Sequence, residues 1–248
     1  MCIRDRTLPV TIQLLTLSFA ITLLVAVPIG IVAASRPGGY LDRGVFVYGL
    51  FGGSQPEFWW GLMFVFVFFF QLGIAPAPLG LVNPMDTPSD PITGFILVDS
   101  VIRGEWDVLG DVLWHMALPT LTLIFILSGP IIKMVRQNMI RALGSDFILY
   151  ARAAGLSEGT VTRYAFRIAL APALTLVGIL YGVMLGGAVL VETVFSLGGI
   201  GQYAVRAVLA FDYPAIQGVV LVITSISLGI YLVLDLVYAV IDPRVARS

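Results

Sequence analysis

The chain has 248 residues, of which 58% are hydrophobic and 12% are charged, and its net charge at pH 7 is −1. A soluble globular chain carries about 25% charged residues, so this composition excludes an ordinary soluble domain and predicts an integral membrane protein. The balanced charge, with no basic stripe, argues against nucleic-acid binding, and a single cysteine and a single histidine exclude a disulfide framework and a metal site built from several such ligands.

Five apolar runs are each close to the roughly 20 residues that a helix needs to cross a bilayer. None of them alternates with a period of two, which favours helices over the strands of a barrel. The sequence therefore predicts an all-α, polytopic transmembrane helical bundle of about five spanning helices. The runs are residues 10–34, 45–72, 116–132 (extendable back to 112), 168–191 and 213–234.

The second run contains one charged residue, Glu57, directly after Pro56. An acidic residue inside the membrane is a functional candidate by default. Pro56, however, predicts a kink, which could place Glu57 at a wet or protein-lined position. The sequence leaves both interpretations of Glu57 open.

The distribution of positive charge predicts the orientation of the chain. If the N-terminus lies outside, the inner segments carry ten Lys and Arg residues and the outer segments carry four. We therefore expect an external N-terminus, an external loop over residues 73–111 and a cytoplasmic C-terminus. Because an odd number of spans that starts outside is unusual for a complete chain, we also expect a sixth, N-terminal helix to be missing.

Residues 133–167 form a polar, basic segment whose pattern predicts two helices on the cytoplasmic side. Ser145 is a candidate N-cap, and Asp146 suits the positive end of the helix that follows. Gly155 suits a left-handed C′ position, and Ser157 can cap a second helix that leads into the next span. An apolar face is predicted by the i, i+3, i+4, i+7 spacing of Phe147, Tyr150, Ala151 and Ala154.

This apolar face needs a surface that buries it, and the pattern alone supports two surfaces equally. The helix could lie among lipid headgroups, with Arg141 and Arg152 near anionic lipid. Alternatively, it could dock on a partner protein.

The segment Tyr-Ala-Arg-Ala-Ala-Gly-Leu-Ser at 150–157, followed by Arg-Ile-Ala-Leu-Ala-Pro at 167–172, resembles the cytoplasmic EAA loop of ABC importer permeases of the dipeptide/oligopeptide/nickel type. The acidic residue and paired alanines that name this loop are not kept, since Leu149, Tyr150 and Ala151 occupy the matching positions. Four further segments are similar to the same family. They are Gly-Gly-Ala-Val-Leu-Val-Glu-Thr-Val-Phe-Ser at 186–196, Gly-Ile-Gly at 199–201, Asp-Tyr-Pro-Ala-Ile-Gln-Gly at 212–218 and Asp-Pro-Arg at 242–244.

The resemblance implies a single type-1 ABC transporter permease domain over residues 1–248, in a bacterial or archaeal plasma membrane. Such a chain is not an enzyme but forms half of a pore for peptides or related small solutes. Its implied partners are a sister permease, two nucleotide-binding ATPase subunits, an extracytoplasmic substrate-binding protein and the lipid bilayer, with no nucleic acid. The sequence contains no G-x-x-x-x-G-K-[ST] phosphate loop, so we expect no cofactor on this chain and ATP on the partner subunits.

The resemblance also implies roles for individual residues. A coupling helix that docks on the ATPase subunit would include Phe147, Tyr150, Ala151, Arg152, Ala154, Gly155, Leu156 and Ser157. Gly178, Gly182 and Gly186 recur every four residues on one helix face, where small residues let helices approach. They either pack within the chain or contact the sister permease. Glu192, at the outer end of the same span, either lies at the pore mouth or faces water.

A secondary transporter and a membrane enzyme are the two alternatives to the permease hypothesis. A secondary transporter predicts repeated halves and ionisable groups near the bilayer midplane. A membrane enzyme needs a paired nucleophile and base, or metal ligands. Neither pattern is evident in the sequence, and copurification with an ATPase would distinguish the permease from both.

Overall fold

The computed structural model describes residues 7–52, 54–82 and 92–241. Every secondary-structure element assigned in these ranges is a helix. The all-α prediction is thereby confirmed for the described part of the chain, whereas the Asp-Pro-Arg motif at 242–244 lies outside it. A π-helical segment, Val65–Gln71, directly continues α3. The α-helices are α1 (Leu8–Ser35), α2 (Tyr40–Gly52), α3 (Glu57–Phe64), α4 (Ile96–Arg103), α5 (Trp106–Leu143), α6 (Asp146–Ala153), α7 (Glu158–Val194), α8 (Ile200–Leu209) and α9 (Tyr213–Ile241).

Four helical segments within the described residues are long and apolar enough to cross a membrane. They coincide with four of the five predicted runs, which confirms a polytopic helical membrane bundle. The segments are Leu8–Ser35, Trp106–Leu143, Thr175–Val194 and Tyr213–Val233. Helix α5 has 38 residues, which at 1.5 Å per residue is about 57 Å, well beyond a hydrocarbon core of about 30 Å. Part of α5 must therefore extend beyond the membrane core.

The prediction of one continuous span over residues 45–72 is wrong. The chain leaves the helical conformation after α2, and Pro56 has extended dihedral angles of φ −62° and ψ 151° at the start of α3. Proline lacks a backbone N–H and disfavours a helical conformation in the residue before it, so the kink predicted here is a complete break. The apolar helix after the break, Glu57–Gln71, is shorter than the four spanning segments.

The described residues group into two compact units. The first unit draws on the segments Met1–Ala20, Gln55–Ile124 and Val183–Ser227, and the second on Ile21–Ser54, Phe125–Gly182 and Leu228–Ser248. Both units combine segments that are far apart in sequence, so each is held together by contacts between distant helices.

In the second unit, α2 packs against α5 through Tyr48. Its hydroxyl group donates to the carbonyl oxygen of Phe125 and lies within hydrogen-bonding distance of the Ser128 hydroxyl. The rings of Tyr48 and Phe125 meet edge to face, with centroids 5.0 Å apart. These contacts satisfy the polar end of a tyrosine on an otherwise apolar surface.

An ion pair joins the beginning of α2 to the later part of α5. The guanidinium group of Arg136 donates two hydrogen bonds to Asp42, one of them from Nη2 to Oδ2 at 2.9 Å. The backbone N–H of Gly38 donates to the same Oδ2 at 2.8 Å. The Arg136 hydrogen bond and the Gly38 N–H hold the pKa of Asp42 below its ordinary value. The turn between α1 and α2 is therefore fixed to the helix that leads to α6.

In the first unit, Asp99 of α4 organises the loop that precedes it. Its carboxylate accepts hydrogen bonds from the backbone N–H groups of Ile92, Thr93 and Gly94, at 3.2, 2.9 and 3.2 Å, and from the Thr93 hydroxyl at 2.6 Å. Burial acts to raise the pKa of Asp99, but these hydrogen bonds outweigh it and lower the pKa below its ordinary value. A single carboxylate thus orders three consecutive backbone groups.

Candidate functional site

The candidate site is the coupling segment, residues 144–157, which connects α5 to α7 and contains α6. Ser145 occupies the N-cap of α6, with φ −78° and ψ 150°, and its carbonyl oxygen accepts the N–H groups of Ile148 and Leu149, both at 3.0 Å. Its hydroxyl donates back to the carbonyl oxygen of Ala142 at 2.7 Å instead of capping α6. The predicted start of α6 is therefore confirmed, but its cap is formed by the backbone.

The end of α6 is a glycine turn with two backbone hydrogen bonds. Gly155 has a φ of +79°, and its N–H donates to the carbonyl oxygen of Arg152 at 2.9 Å. The next N–H, of Leu156, donates to Ala151 at 3.2 Å. This pair of bonds defines a Schellman motif, in which glycine takes the left-handed position at lowest cost. The conformation predicted for Gly155 is confirmed.

The prediction that four residues of α6 share one apolar face is wrong for Ala151. The predicted members are Phe147, Tyr150, Ala151 and Ala154. Ala151 is only 4% exposed and lies with the fully buried Ile148 on the inner side of α6, whereas Phe147, Tyr150 and Ala154 are exposed. Five consecutive apolar residues, 147–151, surround the helix, so the spacing could not reveal which of them face the rest of the chain. Ala151 therefore anchors α6 to its own chain.

The exposed side of the coupling segment is unusually apolar. Phe147, Leu149 and Tyr150 are 56%, 68% and 76% exposed, and Leu156 beyond the turn is also exposed. These four residues are called the coupling patch below. Contiguous exposed apolar surface commonly marks a site of interaction with another protein or a membrane.

Two side-chain contacts brace α6 against the beginning of α7. The rings of Phe147 and Tyr164 lie with their centroids 6.2 Å apart. On the other side of the turn, Arg152 donates to both carboxylate oxygens of Glu158, at 3.1 and 3.2 Å. Ser157 precedes α7 as its cap, because its carbonyl oxygen accepts the N–H groups of Thr160 and Val161. These contacts hold the coupling patch in a defined position relative to the beginning of α7.

The three glycines of α7 do not share one environment. Gly178 is buried. A Cβ atom on Gly182 would lie 2.2 Å from the Tyr231 hydroxyl oxygen of α9, so Gly182 serves packing within the chain. A Cβ atom on Gly186 would meet nothing within 4 Å, which leaves this position open to an external contact.

Glu192 is fully buried, so the expectation that it faces water or lies at a pore mouth is wrong. Its carboxylate accepts a hydrogen bond from the Thr11 hydroxyl of α1 and another from the backbone N–H of Gln202, at 3.0 Å for the latter. The Thr11 oxygen in turn accepts the N–H of Ile200 at 3.0 Å. Thr11 and Glu192 therefore cap the N-terminus of α8, where backbone N–H groups lack partners within the helix.

The glycines that follow Glu192 make this arrangement sterically feasible. A Cβ atom on Gly199 would lie 2.4 Å from the carboxylate carbon of Glu192, and one on Gly201 would lie 2.6 Å from the Cα of Val189. The run Gly-Ile-Gly at 199–201 thus lets α8 approach α7 closely. Sequence reasoning had no signal for the role of Thr11, because its partner lies on a distant helix.

Glu57, the acidic residue inside the second apolar run, lies against α7. A Cβ atom on Gly187 would be 2.9 Å from Oε1 of Glu57. The other carboxylate oxygen, Oε2, is buried without a hydrogen-bond partner among the described residues. The structure therefore supports the protein-lined position for Glu57.

Four spanning segments within the described residues, connected in part by helices outside the spans, define a polytopic helical membrane protein. The chain belongs to the family described as "Binding-protein-dependent transport system inner membrane component", whose model matches residues 26–247. It is therefore a permease subunit of an ABC importer, located in the inner membrane, and it acts together with a substrate-binding protein and ATPase subunits.

Among curated proteins, the chain is similar to the probable D,D-dipeptide transport system permease protein DdpB of Escherichia coli K12, with 37% identity over 241 residues. It is also similar to the dipeptide transport system permease protein DppB of Alkalihalophilus pseudofirmus, with 38% identity over 239 residues. The alignments cover 97% and 96% of this chain and 71% of each relative. The family resemblance of the sequence motifs is thereby confirmed.

Proposed function

We propose that this chain forms half of a translocation pore for dipeptides or closely related short peptides, and that its coupling patch docks on an ATPase subunit. The substrate class follows from the similarity to permeases named for dipeptide transport. ATP binding and hydrolysis take place on the partner subunits, and the docked helix transmits their motion to the spanning helices.

The length of α5 beyond its apolar run favours a protein over lipid as the partner of the coupling patch. The apolar run ends at residue 132, and α5 continues to Leu143, which adds 11 residues or about 16 Å. This extension supports a position of the coupling patch away from the membrane core, within reach of an ATPase subunit.

The rigidity of the coupling segment supports the same assignment. A helix that only rests on lipid needs no fixed angle relative to the spans. Here the Gly155 turn and the Arg152–Glu158 and Phe147–Tyr164 contacts hold that angle. A fixed angle is what the transmission of a mechanical displacement requires.

Within this proposal, the chain pairs with a sister permease and binds one of two ATPase subunits. The open position at Gly186 and the exposed face of α9 offer surfaces for the sister permease, since only 6% of the spanning window of α9 is buried within the chain. The excess of Lys and Arg in segments such as 133–167 supports a cytoplasmic location for the coupling segment and an external N-terminus.

A site-specific photocrosslink tests the docking proposal. Benzoylphenylalanine replaces Tyr150 in the intact transporter, and the matched control places it at Tyr40, an aromatic residue that is 94% exposed on α2. We expect ultraviolet light to join residue 150, but not residue 40, to a polypeptide that contains the G-x-x-x-x-G-K-[ST] motif. Adducts with lipid alone at residue 150, or equal adducts at both residues, would contradict the proposal.

A further inference from the structure

Helix α4 buries polar residues and exposes apolar ones, which is the reverse of a helix on the surface of a soluble protein. Its buried residues include the polar Asp99 and Ser100, whereas Val98, Val101 and Ile102 are exposed. The three exposed positions follow the i, i+3, i+4 spacing and therefore share one face. A surface helix in water turns its apolar stripe toward the core, but α4 turns it away from the chain.

Polar contacts on the inner side fix this orientation. Asp99 binds the three consecutive backbone N–H groups described above, which belong to the loop before α4. The N–H of Leu97 donates to Oε1 of Gln13 on α1 at 3.2 Å. Rotating α4 to hide its apolar face would break these bonds, so the face is held outward by the fold.

The apolar face leads directly into a spanning helix that begins with tryptophan. Gly104 ends α4 with a φ of +73°, and the N–H of Glu105 donates to the carbonyl oxygen of Ser100 at 2.9 Å. Helix α5 then starts at Trp106, which is exposed together with Leu113 and Trp114. These residues fall at i, i+7 and i+8 on one face of α5. Tryptophan is enriched where spanning helices cross the membrane–water boundary.

We propose that α4 lies flat in the interfacial layer of the bilayer, with Val98, Val101 and Ile102 inserted at the boundary between headgroups and acyl chains. The occupant of this face is lipid, because the face is continuous in sequence with the exposed apolar stripe of a membrane-spanning helix and carries the boundary tryptophan beside it. The stripe has no charged member, so the interaction needs apolar burial but no anionic lipid.

Depth-dependent fluorescence quenching in the assembled transporter tests this assignment. Single cysteines at Val98, Val101 and Ile102 carry the environment-sensitive dye NBD in proteoliposomes that contain shallow or deep doxyl-labelled phosphatidylcholine. A cysteine at Leu121, exposed farther along α5, is the lipid control. A cysteine at Arg36, which is exposed in the turn between α1 and α2, is the water control.

We expect the three α4 sites to show blue-shifted emission and stronger quenching by the shallow than by the deep label, whereas Leu121 shows the reverse. Quenching should be unchanged when half of the phosphatidylcholine is replaced by phosphatidylglycerol. Water-like emission that is quenched by iodide, as at Arg36, would overturn the proposal. Blue-shifted emission that neither doxyl lipids nor iodide quench would also overturn it, by showing that a protein covers the face.

Discussion

The Thr11 hydroxyl donates a hydrogen bond to Glu192, although the two residues are separated by 181 positions in the chain. This contact joins the beginning of α1 to the end of α7, and the same two side chains receive the N–H groups of Ile200 and Gln202 at the start of α8. One residue pair thus connects three helices. A buried carboxylate is stable here because its hydrogen-bonding partners are fixed by the backbone.

The first prediction concerns Thr11. Thr11→Val keeps the shape of the side chain but removes the donor to Glu192 and the acceptor for Ile200. Leaving buried polar groups without partners costs about 1–3 kcal/mol each, so we expect a lower unfolding temperature in detergent. Thr11→Ser retains both hydrogen bonds and serves as the control. Equal unfolding temperatures for Thr11→Val and the wild type would show that the contact contributes no stability.

The second prediction concerns the glycines that face Glu192. In Gly201→Ala the new Cβ atom would meet the backbone of Val189 at 2.6 Å, which forces α8 away from α7. We expect the yield of monodisperse folded protein to fall severalfold in size-exclusion chromatography. Gly110→Ala on α5 is the matched control, because its Cβ atom would meet nothing within 4 Å and alanine favours a helix. Equal yields for the two variants would contradict the close approach.

The third prediction separates the two sides of α6. Tyr150→Asp places a charge on the exposed patch, so we expect normal insertion and unfolding temperature but at least a tenfold loss of substrate-stimulated ATP hydrolysis and uptake. Ala151→Asp buries a charge without a partner, which is costly, and should lower the unfolding temperature of the chain itself. A wild-type transport rate for Tyr150→Asp would exclude the patch as the docking surface.

The fourth prediction concerns the turn after α6. Gly155→Val forces a β-branched residue to adopt a φ of +79°, a conformation that such residues strongly disfavour. We expect the angle of α6 to change, so that ATP hydrolysis no longer depends on substrate while the spanning helices stay intact by circular dichroism. Gly159→Val, at an open position in the first turn of α7, is the control. Unchanged coupling in Gly155→Val would show that the turn tolerates other conformations.

The fifth prediction follows from the ion pair between Asp42 and Arg136. Because the pair lowers the pKa of Asp42, its stabilisation is fully present above the unfolded-state value near 4 and is lost as pH falls through the lower, folded-state value. We expect the unfolding temperature of the wild type to drop below about pH 4, and Asp42→Asn to reduce this drop. Asp107→Asn, at an exposed position on α5, is the control. If the unfolding temperatures of the wild type and Asp42→Asn fell equally below pH 4, the ion pair would not be the source of this pH dependence.

Local signals were sufficient to predict the elements whose boundaries depend on neighbouring residues. Ser145 and Gly155 delimit α6 in sequence as they do in the structure, since capping depends on residues a few positions apart. Hydrophobic length likewise identified α1, α5, α7 and α9 as spanning helices. In contrast, hydropathy concealed the break at Pro56, because an apolar window does not register the loss of one backbone donor.

Features that depend on tertiary contacts could not be predicted. Ala151 is buried and Tyr150 is exposed because of the side on which α6 meets the rest of the chain. Since both sides of α6 are apolar, the sequence does not show which side this is. The environment of Glu192 depends on Thr11, and no pattern within either helix links them. Residues near the end of a span are usually close to water, which explains why the expectation for Glu192 was wrong.

The π-helical segment Val65–Gln71 is the place in the second apolar run where the chain can tolerate a change of one residue in length. Its hydrogen bonds skip one residue more than those of an α-helix, as in the bond from the Leu72 N–H to the Val67 carbonyl oxygen at 3.0 Å. Because a π-helical turn accommodates one residue more than an α-helical turn, removing one phenylalanine from this segment would restore α-helical spacing while nearly preserving the orientation of the chain on either side. Within the regular α3 before it, the same deletion would turn everything after it by about 100° around the helix axis.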